Sequence, residues 1–475
     1  MIVKVAHKEM LEMFRDGRFR IAGAIVLLLL TASLLIGWKG VRDVREQQAV
    51  AKAADEQQWL NQGERNPHSA AHFGKYAFKP TTPVSFLDKG LNSYLGIAVW
   101  LEAHYQNPFR YRPAEDSTVV QRFGELTAAV VLQFLLPLLI ILLTFSTFAG
   151  ERESGTLKQL LSIGISKSTL TFGKALGICN ALMLLLIPAT LIGVAVLALS
   201  ADGSSADGLS SNAGRFALMV VSYLLYFITF TGVSIAVSAQ AKQARMALLI
   251  LFAFWIINGL VVPRAVSDAA QKIHPAPSHT EFWDTVRKDM SEGIDGHDPA
   301  NIRTEEAKKM LLAKYKVEKV EDLPINFAGW SLQQGEVYGN LVFDKRYGEL
   351  WNTYEKQNGA HDTGALFAPL LAIRSLSMSM AGTDFNHHRH FAIEAENYRR
   401  FLNKMLNEDL MHNAGKNTQY TANQNLWQSI PQFQYNLPTT TWALKTQKFS
   451  FAMLILWASV SVGFAVWSVK KMRVD

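Results

Sequence analysis

The sequence predicts an all-α membrane protein with six transmembrane helices, an N-terminal amphipathic helix and a mainly helical extracytoplasmic domain built from two insertions. Six stretches lack Asp, Glu, Lys and Arg: 21–37, 126–150, 175–201, 216–241, 246–263 and 449–469. A helix needs roughly 17–25 apolar residues to cross a bilayer. Only 18% of the residues are charged, against about a quarter in soluble domains. The mean hydropathy of only +0.08 nevertheless indicates that a large part of the chain lies in water.

Composition excludes a soluble enzyme, a fibrous protein and a disordered tail. The net charge of +7 comes with basic residues beside the apolar stretches, which is typical of membrane orientation, so we expect no nucleic acid partner. The chain has one cysteine, Cys179, so an extracytoplasmic domain has no intramolecular disulfide. Residues 36–38 do not form a small-x-small cleavage site, so we interpret 21–37 as a retained span.

Residues 1–20 predict an amphipathic helix on the inner membrane surface. The apolar face carries Val3, Ala6, Met10 and Phe14. The charged face carries Lys4, Lys8, Glu12 and Arg15. Basic residues on one face of such a helix suit anionic lipid headgroups. The alternative is a cytosolic extension of the first span.

Lys and Arg in the short connections predict the topology. They place both termini in the cytoplasm. The predicted spans are 21–37, 123–150, 173–201, 215–240, 246–263 and 448–469. The predicted cytoplasmic parts are the loops 151–172 and 241–245 and the tail 470–475, whereas 202–214 forms a short outer loop.

Two long segments are predicted outside the membrane, 38–122 and 264–447, named here the first and second outer segments. Each alone offers a thin core, so we expect the two to pack into one helical domain. Residues 366–380 are apolar or uncharged apart from Arg374 but are too short for a usual span. We interpret this stretch as a buried or interfacial helix; a true or re-entrant span is the alternative.

The loop at 151–172 carries the pattern that predicts function. Its sequence Glu-Arg-Glu-Ser-Gly-Thr-Leu-Lys-Gln-Leu-Leu-Ser-Ile-Gly-Ile-Ser starts at Glu151. Gly155 and Gly164 predict a turn at each end of a short helix. Leu157, Leu160 and Leu161 would share one side, which predicts that a partner groove covers them.

This stretch resembles the signature of type-2 ABC export permeases, in which acidic residues precede Gly-Thr-Leu, a leucine pair and Ser-x-Gly-x-Ser. In that family the loop forms a coupling helix that docks into a separate ATP-binding subunit, and the N-terminal amphipathic helix is an elbow helix. Residues 66–80 and 381–391 resemble a subclass with a large extra domain of unknown function between spans 5 and 6.

The resemblance implies a permease subunit that contacts a cytoplasmic ABC ATPase dimer and a second permease copy or a similar permease. It implies coupling through Glu151, Glu153, Gly155, Thr156, Leu157, Leu160, Leu161 and Gly164. None of the three Gly-Lys pairs is followed by Ser or Thr as in a P-loop, so ATP and Mg²⁺ are expected on the partner and this chain is not expected to be an enzyme. The alternative function is a non-transporting membrane scaffold whose outer domain binds a metal or a protein partner.

Histidines in the outer segments form a second pattern. They are His68, His72, His387, His388 and His390. Imidazoles bind zinc or copper, so these residues could form a metal site. The alternative is that they hydrogen-bond between the outer segments and fix their docking. Ser69 stands where a zinc hydrolase motif needs Glu, which argues against a protease.

Gln133 and Asn180 are polar residues inside predicted spans. Such residues face another helix or a cavity, so both are possible transport-path residues, and helix packing is the alternative. No charged residue lies in the apolar stretches, which favours an amphipathic cargo such as a lipid-like molecule, a peptide or a natural product.

Overall fold

The computed structural model describes residues 1–112, 126–199, 208–294 and 296–473. In these ranges, six helices are long and apolar enough to cross a membrane, which confirms the predicted class. We number them as spans 1 to 6: Phe19–Leu60, Ala128–Glu153, Lys167–Leu199, Asn212–Gln240, Ala244–Ile273 and Lys448–Lys471. The predicted boundaries that fall within 113–125 and 200–207 lie outside the described residues.

The elbow helix is Ile2–Arg15. Its buried residues are Val5, Ala6, Glu9 and Met13, which recur at helical spacing on the side that packs against span 3. The helix that contains the predicted span 21–37 continues without a break to Leu60, well beyond the apolar stretch. The Ala-rich, Gln-rich stretch after Val44 consists of good helix formers, so it extends this helix rather than starting a new one.

Among the described residues, the outer segments form further helices and one small sheet. The α-helices are Pro67–Phe73, Asn92–Leu95, His279–Glu292, Ala300–Tyr315, Phe327–Gly364, Pro369–Ala381, Phe385–Asn413, Gln424–Ser429 and Thr440–Thr446. Short 3₁₀ turns lie at Pro83–Phe86 and Val320–Asp322. The strands Lys75–Phe78 and Ala98–Leu101 pair antiparallel, with Lys75 opposite Leu101.

The two outer segments pack on each other, as predicted. Trp59 and Trp427 are fully buried with ring centroids 5.7 Å apart, and the indole N–H of Trp59 donates to the Trp427 carbonyl at 3.1 Å. Backbone hydrogen bonds join Arg65 and Ala422 in both directions. Apolar side chains of both segments therefore share one core, which neither could complete alone.

The helix Pro369–Ala381 is buried, which agrees with one of the two predictions for this stretch. It has 13 residues, fewer than a usual span, and packs against spans 4 and 6. The carbonyls of Ser379 and Met380 at its C-terminal end accept from Arg215, a fully buried residue near the start of span 4. The arginine satisfies groups that a helix end would otherwise leave unpaired in the interior.

Candidate functional site

The loop after span 2 folds into one short helix, Thr156–Ser162. Gly155 precedes the helix with φ +74°, and Gly164 follows it with φ +87°. Both values lie in the left-handed region that side chains other than glycine rarely adopt. The two glycines therefore delimit the helix as the sequence predicted.

Burial along this helix corrects one part of the prediction. Leu157 is only 1% exposed and packs into the core of its own chain, so no partner groove covers it. Leu160 and Leu161 are partly buried against the same core. The apolar face of a short helix can be buried by other helices of the same chain as well as by a partner protein. Here the chain's own helices pack against the loop.

The solvent face of the loop consists of other residues. Ile163 is 73% exposed, and Lys158, Gln159 and Ser162 are also exposed. Glu153 and Gly155 lie on the exposed surface before the helix, where Thr156 is partly exposed. These residues, rather than Leu157, are available to a partner protein.

Glu151 lies inside the chain's own ion-pair network and is not an exposed contact residue, contrary to the expectation for it. Its carboxylate lies 2.9 Å from Lys174 Nζ and 3.0 Å from Lys8 Nζ. Lys174 Nζ also lies 2.8 Å from the carboxylate of Glu9 in the elbow helix. Lys174 is 1% exposed, so these charges are paired away from water. The network joins the loop, the elbow helix and span 3.

Close backbone contact brings the elbow helix to this position. A Cβ atom on Gly173 would lie 2.5 Å from Val5 Cβ, and one on Gly177 would lie 2.8 Å from the Ala6 carbonyl oxygen. The two glycines are four residues apart and share one face of span 3. Their missing side chains leave the room that the elbow helix occupies.

Two basic residues that sequence reasoning missed tie the loop to neighbouring helix ends. The Arg152 guanidinium donates to the carbonyls of Ala239 and Ala241 at the end of span 4 and to that of Arg473. Lys167 Nζ donates to the carbonyl of Met472 at 2.7 Å. Helix C-termini carry unpaired carbonyls that attract cations. The loop, spans 4 and 6 and the elbow helix thus meet on one side of the molecule.

The two polar residues predicted inside the spans differ in environment. Gln133 is buried, and its amide donates to the Tyr223 hydroxyl at 3.1 Å. It lies in a π-helical turn, Val131–Leu135, and its carbonyl accepts from Tyr226. Gln133 therefore joins spans 2 and 4. Asn180 instead lies exposed on the outer face of span 3.

The five histidines do not form one site. His387 Nε2 lies 3.4 Å from the Arg215 guanidinium, and its Nδ1 lies 2.5 Å from the Asp384 carboxylate. A neighbouring cation disfavours a metal ion at that nitrogen. His388 is buried against Phe109, and His390 Nδ1 lies 3.0 Å from the Tyr435 hydroxyl. His387 and His388 thus contact span 4 and the first outer segment, whereas His390 pairs within the second outer segment. None of the three belongs to the cluster that contains His68 and His72, so the prediction that all five share a metal site is wrong.

His68 and His72 instead meet His104, which sequence reasoning missed. The Nε2 atoms of His68 and His72 lie 3.2 Å apart, and His104 Nε2 lies 3.4 Å from that of His68. Burial and the neighbouring imidazoles of His104 and His72 lower the pKa of His68 to about 4. Although burial opposes its ionisation, the hydrogen bond from His104 and the charge of Arg399 hold the pKa of Glu336 down to about 2.

Six long apolar helices, with an elbow helix packed against the third, define the chain as a multi-pass membrane protein. Residues 101–275 match the family described as ABC-2 family transporter protein, and residues 279–436 match a domain of unknown function, DUF3526. Two separate parts of the chain are thus similar to a permease domain of the ABC-2 transporter family and to a DUF3526 domain.

Curated relatives agree with this assignment. The chain is 36% identical over 119 residues to "Probable ABC transporter permease protein NosY" of Pseudomonas aeruginosa, which covers 24% of this chain and 40% of the relative. It is 32% identical over 147 residues to the protein of the same name from Stutzerimonas stutzeri, which covers 30% of this chain and 52% of the relative. The chain thus spans about half the length or less of the curated relatives it matches.

Proposed function

We propose that this chain is the membrane-spanning permease subunit of an ATP-driven exporter in a bacterial inner membrane, with both termini in the cytoplasm. The observation that carries the proposal is the loop at 151–172. Its helix is bounded by two glycines in the left-handed region, is anchored by Arg152 and Glu151, and is followed by the exposed Ile163. A rigidly held loop with one exposed apolar side chain suits transmission of force from a separate ATPase.

ATP and Mg²⁺ would be bound by that ATPase, a cytoplasmic dimer, and this chain would supply no catalytic residue. A second permease copy or a similar permease would complete the translocation path. The exposed face of span 3 that carries Asn180 is the proposed contact, because a polar side chain in a membrane favours a helix partner over lipid.

The proposed cargo is amphipathic or lipid-like. A cavity of about 220 Å³ lies between spans 1 to 4, and its lining is almost entirely apolar. Its walls include Leu30, Leu34, Leu132, Leu186, Ala189, Phe216 and Tyr223. Neither Gln133 nor Asn180 lines it, which argues against a cargo contact for these two residues. Ala189→Trp, which fills the cavity, should abolish cargo-stimulated ATP hydrolysis and leave the complex assembled.

Co-purification tests the proposed coupling. Wild-type protein solubilised from its native host should retain an ATPase, whereas Ile163→Asp should lose most of it. Burial of one isoleucine contributes about 1.5–3 kcal/mol, so its loss should weaken binding by roughly tenfold or more. Ile302→Asp is the matched control, because Ile302 is also exposed but lies in the second outer segment. If neither wild type nor control retains an ATPase, the proposal fails.

A further inference from the structure

Three imidazole nitrogens converge on one point of the outer domain. The Nε2 atoms of His72 and His104 lie 3.2 Å and 3.4 Å from that of His68, and one ligand atom of each histidine lies within 4.8 Å of the others. A tetrahedral zinc ion with Zn–N bonds of about 2.0–2.1 Å holds its ligand nitrogens about 3.3–3.4 Å apart. The distances from His68 Nε2 to the other two nitrogens match those between two ligand nitrogens of a zinc ion.

Hydrogen bonds among the histidines do not account for this arrangement. His104 Nδ1 lies 2.8 Å from the Glu336 carboxylate, so this nitrogen donates to the carboxylate, and in the neutral imidazole Nε2 then presents a lone pair to His68. A single N–H on His68 Nε2 cannot point along two separate directions at His72 and His104. A cation accepts all three lone pairs at once.

The residues next to His104 hold it in position. Its backbone has φ +67°, an uncommon conformation for a residue other than glycine, and its N–H donates to Glu336 at 2.7 Å. Glu336 is buried and is held by Arg399 at 3.1 Å, which in turn binds Glu396. A carboxylate behind a histidine sets its tautomer and orientation in metal sites.

The geometry points to a three-histidine site for a divalent transition-metal ion, with Zn²⁺ the first choice. His68, His72 and His104 are the ligands, and Glu336 is a positioning residue that acts through His104. Mg²⁺ and Ca²⁺ need oxygen ligands and do not fit three imidazoles. The exposed side chain of His72 leaves a coordination position open to water. Because Glu336 belongs to the second outer segment, the ion would also join the two segments.

Metal titration of the full-length protein tests this site independently of the transport proposal. Detergent-solubilised protein treated with chelator is titrated with ZnCl₂ by calorimetry, and bound metal is counted by elemental analysis after desalting. Wild type should bind one Zn²⁺ per chain and MgCl₂ should not compete. His72→Gln changes an exposed residue, and His104→Asn keeps a side chain that tolerates positive φ. His412→Gln, an exposed histidine in the same domain, is the matched control.

We expect His72→Gln and His104→Asn to lose stoichiometric Zn²⁺, and His412→Gln to bind as wild type does. Glu336→Gln should bind about 10–100-fold more weakly while its metal-free circular dichroism matches wild type. Absence of stoichiometric Zn²⁺ in the wild type would overturn the proposal. So would equal affinity of wild type, His72→Gln and His104→Asn.

Discussion

Lys174 lies 2.9 Å from Glu151, so a buried lysine of span 3 holds the first residue of the loop at 151–172. The same ammonium group lies 2.8 Å from Glu9 of the elbow helix. A movement of the loop therefore changes the ion pairs of both neighbours. This contact gives the proposed ATPase a mechanical route from the loop into the membrane-embedded helices.

Lys174→Met should destabilise this junction strongly. It leaves two carboxylates close together without their shared cation, and removal of one partner of a buried pair costs about 3–5 kcal/mol. The apparent melting temperature in detergent should fall by several degrees, and the elbow helix should exchange its amide hydrogens faster. Lys158→Met is the control, because Lys158 is exposed in the same loop. Equal melting temperatures for both variants would mean that the network contributes nothing.

Gly177→Val should displace the elbow helix. A Cβ there would lie 2.8 Å from the Ala6 carbonyl and 2.9 Å from Glu9 Cβ, closer than real side chains approach. Gly463→Val serves as the comparison, because nothing lies within 4 Å of a Cβ at that position in span 6. Thermal unfolding of both purified variants should show a loss for Gly177→Val only. A stable Gly177→Val protein would contradict the packing described.

His388 should make the outer domain sensitive to acid. Burial, with Lys79 and Arg112 nearby, lowers the pKa of His388 to about 3, below its ordinary value of 6.5. Between these values the unfolded chain binds a proton that the folded chain does not, so stability falls as the pH falls, by up to about 1.4 kcal/mol per unit. His388→Phe cannot take up this proton. Its melting temperature should therefore fall less than that of the wild type between pH 7 and pH 5. His412→Phe should follow the wild type. Parallel pH profiles for all three proteins would refute this.

Cys179 offers a direct probe of the proposed permease pair. It is the only cysteine of the chain, is exposed, and neighbours Asn180 on span 3. If two copies meet at this face, a short bifunctional maleimide should cross-link wild-type protein into dimers in native membranes. Cys179→Ser should stay monomeric on the gel. Monomers from both proteins would place the second copy elsewhere.

The membrane part of the fold could be predicted because long charge-free stretches are rare outside membrane-spanning helices. The length of the first long helix could not, since the apolar stretch ends near Trp38 whereas the helix does not. Helix formers on both sides of that boundary allow the helix to continue to Leu60. The buried helix Pro369–Ala381 was predictable in kind from its length, but its contact with Arg215 was not.

The candidate functional site and the histidine cluster were likewise predictable only in part. Local turn chemistry identified Gly155, because a left-handed turn depends on its own residue. The burial of Leu157 could not be predicted, since an apolar face has the same pattern whether a partner or the chain itself covers it. Lys174 offered a signal that was not used, a lone charge at the start of an apolar span. His104 offered none, because only the folded domain brings it to His68.

Site-specific photo-cross-linking at position 163 shows whether the loop at 151–172 touches an ATPase. A photoreactive amino acid replaces Ile163, or Ile302 as the control, and the protein is irradiated in membranes of its native host. We expect a cross-linked product at 163 that mass spectrometry identifies as an ATPase, and no such product at 302. No ATPase product at 163, or equal products at both positions, would contradict the proposal that this loop couples the permease to a separate ATPase.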